Sequence, residues 1–180
     1  MIQVVFAYSF QGLRAIFGNN GGLPWGHVKE DLQNFKKRTD GHTLIMGRAT
    51  FESLPCKLKG RPHVVVSSAP MSEIKAKNGD TPDAVVNTRN GRSIESIAMM
   101  YSKYGNVSII GGKQMIIEGA QFADRVVATC IIPKEPREVY PYDVWFEPME
   151  LAVLTGRYTK TNINRVECDK VTLVECEYNA

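Results

Sequence analysis

The chain has 180 residues and a mass of 20.1 kDa, enough for one domain with one sizeable core. Its hydrophobic fraction of 43% and charged fraction of 23% are ordinary for a globular protein, and they exclude wholesale disorder, a collagen-like fibre and a coiled coil. The net charge of +3 is too weak to predict nucleic-acid binding, although residues 1–63 carry 9 basic and 4 acidic side chains. That basic third fits a small anionic ligand as well as a solvated surface.

Short β-type runs alternate with helical runs over the first 125 residues, which predicts right-handed crossovers and a mainly parallel sheet. The predicted strands are 3–8, 43–46, 63–67, 83–87, 107–110, 125–132, 151–155 and 170–178. The predicted helices are 28–38, 50–54, 93–104 and 114–120. The last two strands are expected to add an antiparallel edge, and no boundary signal interrupts the chain, so residues 1–180 are predicted to form a single domain.

Neither a membrane segment nor a metal site is expected. The longest apolar runs, such as 126–128, are too short to cross a bilayer, and residues 1–6 predict a strand rather than a secretory signal. The four cysteines have no C-x-x-C spacing, and the three histidines form no metal or triad pattern. We therefore expect a cytoplasmic protein without structural disulfides, in which Cys130 is a buried core thiol.

One carboxylate of the first predicted helix leans towards the apolar face. Val28, Leu32 and Phe35 share that face at about 100° per residue, and Asp31 lies at its edge, whereas Glu30 points to the opposite side. A carboxylate in an apolar pocket is costly unless it is hydrogen-bonded, so Asp31 is a candidate to receive two hydrogen bonds from a ligand. The alternative is an ordinary first-turn acid favoured by the helix dipole.

Two strand-to-helix turns contain glycine, at Gly47 and at Gly111-Gly112, and a backbone without side chains there allows an anion to approach. Arg48 follows the first turn, and Ser67 ends the strand 63–67, where open α/β sheets bind ligands. The glycine pattern is not G-x-G-x-x-G, which disfavours a standard dinucleotide fold. Each signal alone also fits a plain turn with a surface side chain.

Taken in order, these segments resemble dihydrofolate reductases, strongly over residues 1–132 and loosely beyond. The matching segments are Leu23-Pro24-Trp25, Asp31-Leu32-x-x-Phe35-Lys36-x-x-Thr39, Ile45-Met46-Gly47-Arg48-x-Thr50-Phe51-Glu52-Ser53, Leu58-x-Gly60-Arg61, Val64-Val65-Val66-Ser67-Ser68 and Ile109-Ile110-Gly111-Gly112. The resemblance implies a dihydrofolate-reductase-like three-layer α/β sandwich with a mainly parallel central sheet and antiparallel C-terminal strands. It also implies NADPH-dependent reduction of 7,8-dihydrofolate to tetrahydrofolate, with antifolates as inhibitors, in a monomer or homodimer that binds no nucleic acid and no membrane.

The resemblance also implies the site residues. Asp31 would bind the pterin N3–H and 2-amino group, Trp25 would order a pocket water, and Thr129 would support the carboxylate. Arg61 would clamp the glutamate α-carboxylate of the substrate. The remaining residues expected around the substrate are Val5, Phe6, Ala7, Leu32, Phe35, Leu54, Leu58 and Ile110.

On the cofactor side, Arg48 and Ser67 match the contacts to the 2′-phosphate that favour NADPH, and Gly111-Gly112 matches a cis peptide beside the cofactor. Residues 18–23 match a mobile loop that closes on the nicotinamide, with Leu23 at its tip. The remaining residues expected around NADPH are Ala7, Gly18, Gly47, Ala49, Thr50, Ser68, Ile110, Lys113 and Gln114.

Some positions depart from the family pattern. Asn34 stands where some relatives have an aromatic residue, Ile116 stands where many have a tyrosine beside the nicotinamide, and the tail 133–180 receives no site residues. Two rival hypotheses stay open: another reductase of this fold, such as the pyrimidine reductase of riboflavin synthesis, and a non-catalytic relative. The joint presence of Asp31, Phe35 and Arg61 favours dihydrofolate reduction.

Overall fold

The computed structural model describes residues 1–180, apart from the side chain of Asn90. Its strands are β1 (Ile2–Gln11), β2 (Arg14–Gly18), β3 (Thr43–Gly47), β4 (His63–Val66), β5 (Ala84–Val86), β6 (Val107–Gly111), β7 (Arg125–Pro133), β8 (Val144–Phe146), β9 (Thr159–Glu167) and β10 (Val171–Asn179). Its α-helices are α1 (Lys29–Thr39), α2 (Arg48–Ser53), α3 (Ile94–Ser102), α4 (Lys113–Gly119) and α5 (Pro148–Thr155). Short 3₁₀ turns cover Met71–Glu73 and Thr88–Asn90.

A single main sheet runs in the order β5-β4-β3-β6-β1-β7-β10-β9. The pairs from β5 to β7 are parallel, and β10 then pairs antiparallel with both β7 and β9. This arrangement confirms the predicted mainly parallel sheet with antiparallel C-terminal strands. A small side sheet is formed by β2, which pairs with β1 and with β8.

Side chains of β1 alternate between the two faces of the sheet, as the two-residue period of a strand requires. Val4 and Phe6 join the larger core, into which α3 and α4 bury Ile97 and Ile116. On the opposite face, Gln3 donates from Nε2 to the carbonyl oxygen of Arg38 at the end of α1 (2.7 Å). The chain therefore has helices on both sides of the sheet, which makes three layers.

A second core lies on the α1 and α2 face. Phe51 of α2 is fully buried there against Leu44 and Met46 of β3 and Val65 of β4. Burying such a side chain stabilises the fold by roughly 1.5–3 kcal/mol. A helix as short as α2 has little stability of its own, so packing holds it to the sheet. The carboxyl ends of β3 and β4 are thereby fixed beside the first turn of α2.

The prediction of a strand at 151–155 is wrong, because those residues belong to α5. A capping box explains the helix: Glu147 and Glu150 satisfy each other's backbone N–H groups, and Pro148 occupies the first turn. Leu154 is then buried in the larger core. These helix-start signals lie at 147–150, directly before residues 151–155.

The strands β2, β8 and β9 were not predicted. Almost every residue of β9 is exposed, so it lacks the hydrophobic alternation by which a strand is recognised. Cys130 is half-buried rather than fully buried, and Cys168 is the buried cysteine. None of the helices in the described chain is long and apolar enough to cross a membrane.

Candidate active site

A cavity of about 520 Å³ opens between α1, α2, the loop after β2, the middle of β1 and the carboxyl end of β6. It is a mostly apolar cleft with a few polar groups, as small-molecule sites generally are. The predicted site residues that line it are Val5, Phe6, Ala7, Gly18, Leu23, Asp31, Leu32, Phe35, Ala49, Thr50, Leu54, Ile110, Gly111, Gly112, Lys113 and Thr129.

Asp31 is the buried acid of this cavity. It lies in the first turn of α1, and only 7% of its surface is exposed. No hydrogen bond or ion pair of its carboxylate is found among the described residues. Burial, and secondarily the negative charge of Glu175, raise the pKa of Asp31 from its ordinary 3.8 to about 6. The carboxylate is thus available to a ligand that offers N–H donors.

Thr129 and Glu175 form the part of the cavity wall next to α1 that β7 and β10 supply. They are direct partners in the antiparallel β7–β10 pair, so their side chains share one face of the sheet. Glu175 is 3% exposed and receives hydrogen bonds from Arg38 and Asn34 of α1. The tail therefore does supply residues to this cavity, contrary to expectation, because β10 inserts beside β7 and carries Glu175 inward.

Trp25 lies beside the cavity without lining it. It is 9% exposed and packs against Ile16 and Ile131, and its indole Nε1 is buried without a hydrogen-bond partner in the described chain. Buried polar atoms normally have a partner, so this N–H fits a bound water or ligand atom.

Arg61 is also buried, at 8% exposure, and stands outside the cavity wall. Its Nη1 donates to Thr39 Oγ1 (2.9 Å) and its Nε to the Lys59 carbonyl oxygen (3.4 Å). Burial lowers the pKa of Arg61, and no ion pair of this guanidinium is found among the described residues. A buried cation of this kind fits a ligand carboxylate. Leu58 likewise lies outside the wall, packed in the α2 core.

The glycine turns meet at one edge of the sheet. The Gly111–Gly112 peptide bond is cis, as the resemblance implied. Gly111 has φ +144°, and a Cβ there would lie 3.0 Å from Thr50 Oγ1, so only glycine fits against α2. Neither Gly47 nor Gly112 caps the following helix with a side chain, which leaves backbone N–H groups at both helix starts for an anionic ligand.

Some expected cofactor residues lie outside the cavity. In the β3–β4 register Gly47 is opposite Val66, and Arg48 and Ser67 are the residues that directly follow this pair. Arg48 Nε donates to Glu52 Oε1 (2.7 Å), and Ser67 Oγ accepts from the Ala69 amide (3.1 Å). The residues not brought into the wall are Gly47, Arg48, Ser67, Ser68 and Gln114.

The loop at 18–23 closes one side of the cavity. Asn20 (φ +47°) and Gly21 (φ +71°) form the corner of a tight turn, and Asn19 and Gly22 exchange backbone hydrogen bonds across it. The corner is thus Asn20-Gly21 rather than Leu23, which lines the cavity. Asp143, before β8, accepts from the Asn20 amide through Oδ2 (2.8 Å) and fastens the turn.

Comparison with known proteins agrees with this geometry. The dihydrofolate reductase family profile matches residues 1–174. The chain belongs to the dihydrofolate reductase family. The Bacillus subtilis dihydrofolate reductase is 38% identical over 131 residues, covering 73% of this chain and 69% of the relative. The Staphylococcus aureus (strain Mu50) enzyme is 33% identical over 140 residues, covering 78% and 79%.

Among solved structures, dihydrofolate reductase from Enterococcus faecalis complexed with NADP(H) and RAB-propyl has a TM-score of 0.73 and 28% identity. The likeness covers 99% of this chain and 95% of that one. As a dihydrofolate reductase, the chain is an NADPH-dependent oxidoreductase that acts on dihydrofolate. Each relative named here carries that activity in its name, which leaves the pyrimidine reductase of riboflavin synthesis without support.

Several cavity residues were missed by sequence reasoning. They are Phe17, Asn34, Arg38, Ser53, Pro55, Ile116, Asp143, Val144 and Glu175, whereas Asn19, Gly21 and Gly22 belong to the loop predicted at 18–23. Asn34 and Ile116 had been noted only as departures from the family pattern. Glu175 had a usable signal, because in β10 it shares an inward face with Val171 and Leu173, where an acid is out of place.

Proposed function

We propose that the cavity beside Asp31 binds the pteridine ring of 7,8-dihydrofolate and carries its reduction to 5,6,7,8-tetrahydrofolate. The observation that carries this proposal is the Asp31 carboxylate itself, buried in the cavity wall of a dihydrofolate reductase without a protein partner. Such a group costs stability in the free protein, so its position is explained by a ligand that pairs with it.

The ring binds Asp31 edge-on in this proposal. The two carboxylate oxygens accept hydrogen bonds from N3–H and from the 2-amino group, a two-point contact that fixes orientation. Thr129 supports this edge from β7, and the Trp25 N–H holds a water nearby. The apolar walls of the ring and the benzoyl group are supplied by Val5, Phe6, Ala7, Leu32, Phe35, Leu54 and Ile110, and Leu58 packs in the core around Phe51 outside them.

The negative charge of Asp31 favours a proton on N5, and water delivers that proton. Protonation makes C6 a better hydride acceptor, and the C6–H and N5–H bonds formed complete the reduction of the C6=N5 bond. The loop at 18–23, fastened by Asp143, excludes bulk water while this happens. No nucleophile is needed, so catalysis here is positioning and electrostatics.

NADPH, when bound, supplies the hydride. The backbone cradle of Gly47, Ala49, Thr50, Gly111 and Gly112 fits its pyrophosphate, because only glycine fits at 111 and both helix starts have free N–H groups. Arg48 and Ser67, which directly follow the paired residues Gly47 and Val66, would hold the 2′-phosphate, with Ser68 next in the chain. The nicotinamide end would meet Ala7, Gly18, Leu23, Ile110, Lys113 and Gln114.

Four free cysteines support placement in the reducing cytoplasm. A monomer or a homodimer is the expected assembly. Antifolates that present the same amino edge would compete with dihydrofolate for Asp31.

The experiment follows the loss of NADPH absorbance after addition of dihydrofolate, with and without stoichiometric methotrexate. We expect oxidation that the antifolate abolishes, and a turnover at pH 7 that falls roughly 100-fold in Asp31→Asn. Near-normal turnover of that variant would move the pteridine away from Asp31. No oxidation by a folded, NADPH-binding protein would favour a non-catalytic relative.

A further inference from the structure

The cavity contains a second buried carboxylate besides Asp31. Glu175 of β10 lines the same wall, is 3% exposed, and contacts α1 directly. The mechanism proposed above uses Asp31 and Thr129 but assigns Glu175 no role. A buried acid that lines a ligand cavity places a fixed charge close to the reacting ring.

Two α1 side chains hold Glu175 in place. Arg38 Nη2 donates to Oε1 (2.5 Å) and Asn34 donates from Nδ2 to Oε2. Asp31, Asn34 and Arg38 are spaced three and four residues apart, so they share one face of α1. Asp31 and Glu175 therefore border the same part of the cavity.

Glu175 shares the positive charge of Arg38 with a second carboxylate, Glu177. Arg38 Nη1 also pairs with Glu177 Oε2 (2.8 Å), and Glu177 in turn meets Arg125 of β7 at 3.5 Å. Two cations, Arg38 and Arg125, thus face Glu175 and Glu177, and Asp31 remains as an uncompensated carboxylate. Within the described chain these are the charged groups that α1, β7 and β10 bring to this wall.

We propose that Glu175, held by Arg38 and Asn34, is a specificity-determining and positioning residue that makes the pocket favour the protonated form of the ring bound against Asp31. This inference rests on the proposed binding of the pteridine ring in this cavity. A second negative charge stabilises positive charge on the ring, whether on N5 of dihydrofolate during reduction or on a 2,4-diaminopyrimidine antifolate. The same charge raises the pKa of Asp31 and so extends proton uptake to higher pH.

The test compares Glu175→Gln with the wild type in two measurements. The first is the pH profile of hydride transfer in single turnovers. Its midpoint should move to lower pH by roughly half a unit or more, because the ring and Asp31 lose a negative neighbour. The second is binding affinity. The substitution should weaken binding of a 2,4-diaminopyrimidine about three- to tenfold more than binding of folate, whose ring binds without a charge.

Glu177→Gln is the matched control. Like Glu175, Glu177 is a carboxylate that pairs with Arg38, and it is the next residue on the same face of β10. Glu177 does not line the cavity. Its pH midpoint and its ratio of diaminopyrimidine to folate affinity should change much less than in Glu175→Gln, because its charge lies outside the cavity. If Glu177→Gln changes both as much as Glu175→Gln does, the effect comes from the general charge of the protein and the proposal is wrong.

Arg38→Gln supplies a test of opposite sign. Removing the cation leaves Glu175 less neutralised, so the pH midpoint should move upward and diaminopyrimidine affinity should not fall relative to folate. General damage to the wall would instead shift both variants the same way and would overturn the proposal. If Glu175→Gln does not fold, the direction of the pH-midpoint shift in Arg38→Gln still tests whether the Glu175 charge raises the midpoint.

The two proposals fail in different ways. If the wild type does not oxidise NADPH with dihydrofolate, the proposed function fails. If it does, and Glu175→Gln keeps the wild-type pH midpoint and the wild-type affinity ratio, only the role of Glu175 fails.

Discussion

The buried Asp31 carboxylate lowers the stability of the ligand-free protein, and in the proposed complex it binds the ligand. Burial raises its pKa to about 6, so the folded chain binds a proton there more tightly than the unfolded chain does. The unfavourable contribution is absent below about pH 4, grows as pH rises and is complete above about pH 6. A ligand that donates two hydrogen bonds to the carboxylate offsets it.

Asp31→Asn should therefore stabilise the ligand-free protein while it lowers turnover. A rise in pKa from 3.8 to about 6 corresponds to about 3 kcal/mol, so the variant should gain up to that amount at pH 7.5 and little at pH 4. Urea unfolding at the two pH values measures the gain. Asp169→Asn, at an exposed aspartate, is the control and should change nothing; loss of stability in Asp31→Asn at pH 7.5 would contradict the argument.

We expect Arg61 to distinguish complete folates from smaller antifolates. Arg61→Ala should weaken binding of a ligand with a glutamate α-carboxylate about 10- to 100-fold, which is the usual contribution of a hydrogen-bonded charge pair to affinity. A diaminopyrimidine without that carboxylate should bind almost as before. Titration of both ligands measures the difference, and equal losses would place the carboxylate elsewhere.

At the scale of elements, two connections shape the cavity: the turn after β2 and the segment that leads into β8. The Asn20 amide bonds to Asp143, and the Asp143 amide donates to the Gly18 carbonyl oxygen (3.0 Å). A Cβ at Gly18 would lie 2.9 Å from Val144, so glycine is required for this approach. The loop is thus closed by contacts with the tail, whose role the sequence did not reveal.

Asp143→Ala should loosen this closure. Loss of the acceptor for the Asn20 amide should slow hydride transfer in single turnovers about three- to tenfold, and should speed amide exchange over residues 18–23. Asp143→Asn keeps an acceptor oxygen and should lie close to wild type in both measurements. Unchanged exchange in Asp143→Ala would mean that the turn holds itself closed.

Helix and strand predictions succeeded where apolar residues follow a clear period. In β3, β4 and β7 the buried residues are nearly continuous, and the Gly-Gly turn after β6 marks the next helix start. The predictions failed in the tail for two reasons: β9 has two polar faces, and α5 begins at a capping box. The Glu175–Arg38 pair was missed because it joins positions 137 residues apart, a contact that only the order of the strands creates.

At the scale of the molecule, the aromatic ring of Phe146 is a main contact between the side sheet and the larger core. Phe146 of β8 is fully buried, stacks on Phe17 of β2 at 4.4 Å, and meets Phe6 of β1 edge-on at 5.6 Å. Through this ring, packing in the larger core also holds the loop that covers the cavity.

Phe146→Ala should cost about 3–5 kcal/mol in the free energy of unfolding, since it leaves a large hole between the two sheets. Phe146→Leu, which keeps most of the volume, should cost much less. Urea unfolding with an unchanged slope measures both. A cost below about 1 kcal/mol for the alanine variant would mean that the side sheet contributes little to global stability.

The unpartnered indole of Trp25 gives the protein a built-in optical probe. The chain has two tryptophans, and the other, Trp145, lies in the side sheet with its N–H bonded to Glu147 and Arg14 over its ring. In a Trp145→Phe variant all tryptophan emission would come from the edge of the cavity. Energy transfer to a reduced nicotinamide and a spectral shift on ring binding would then report each ligand separately, without any attached dye.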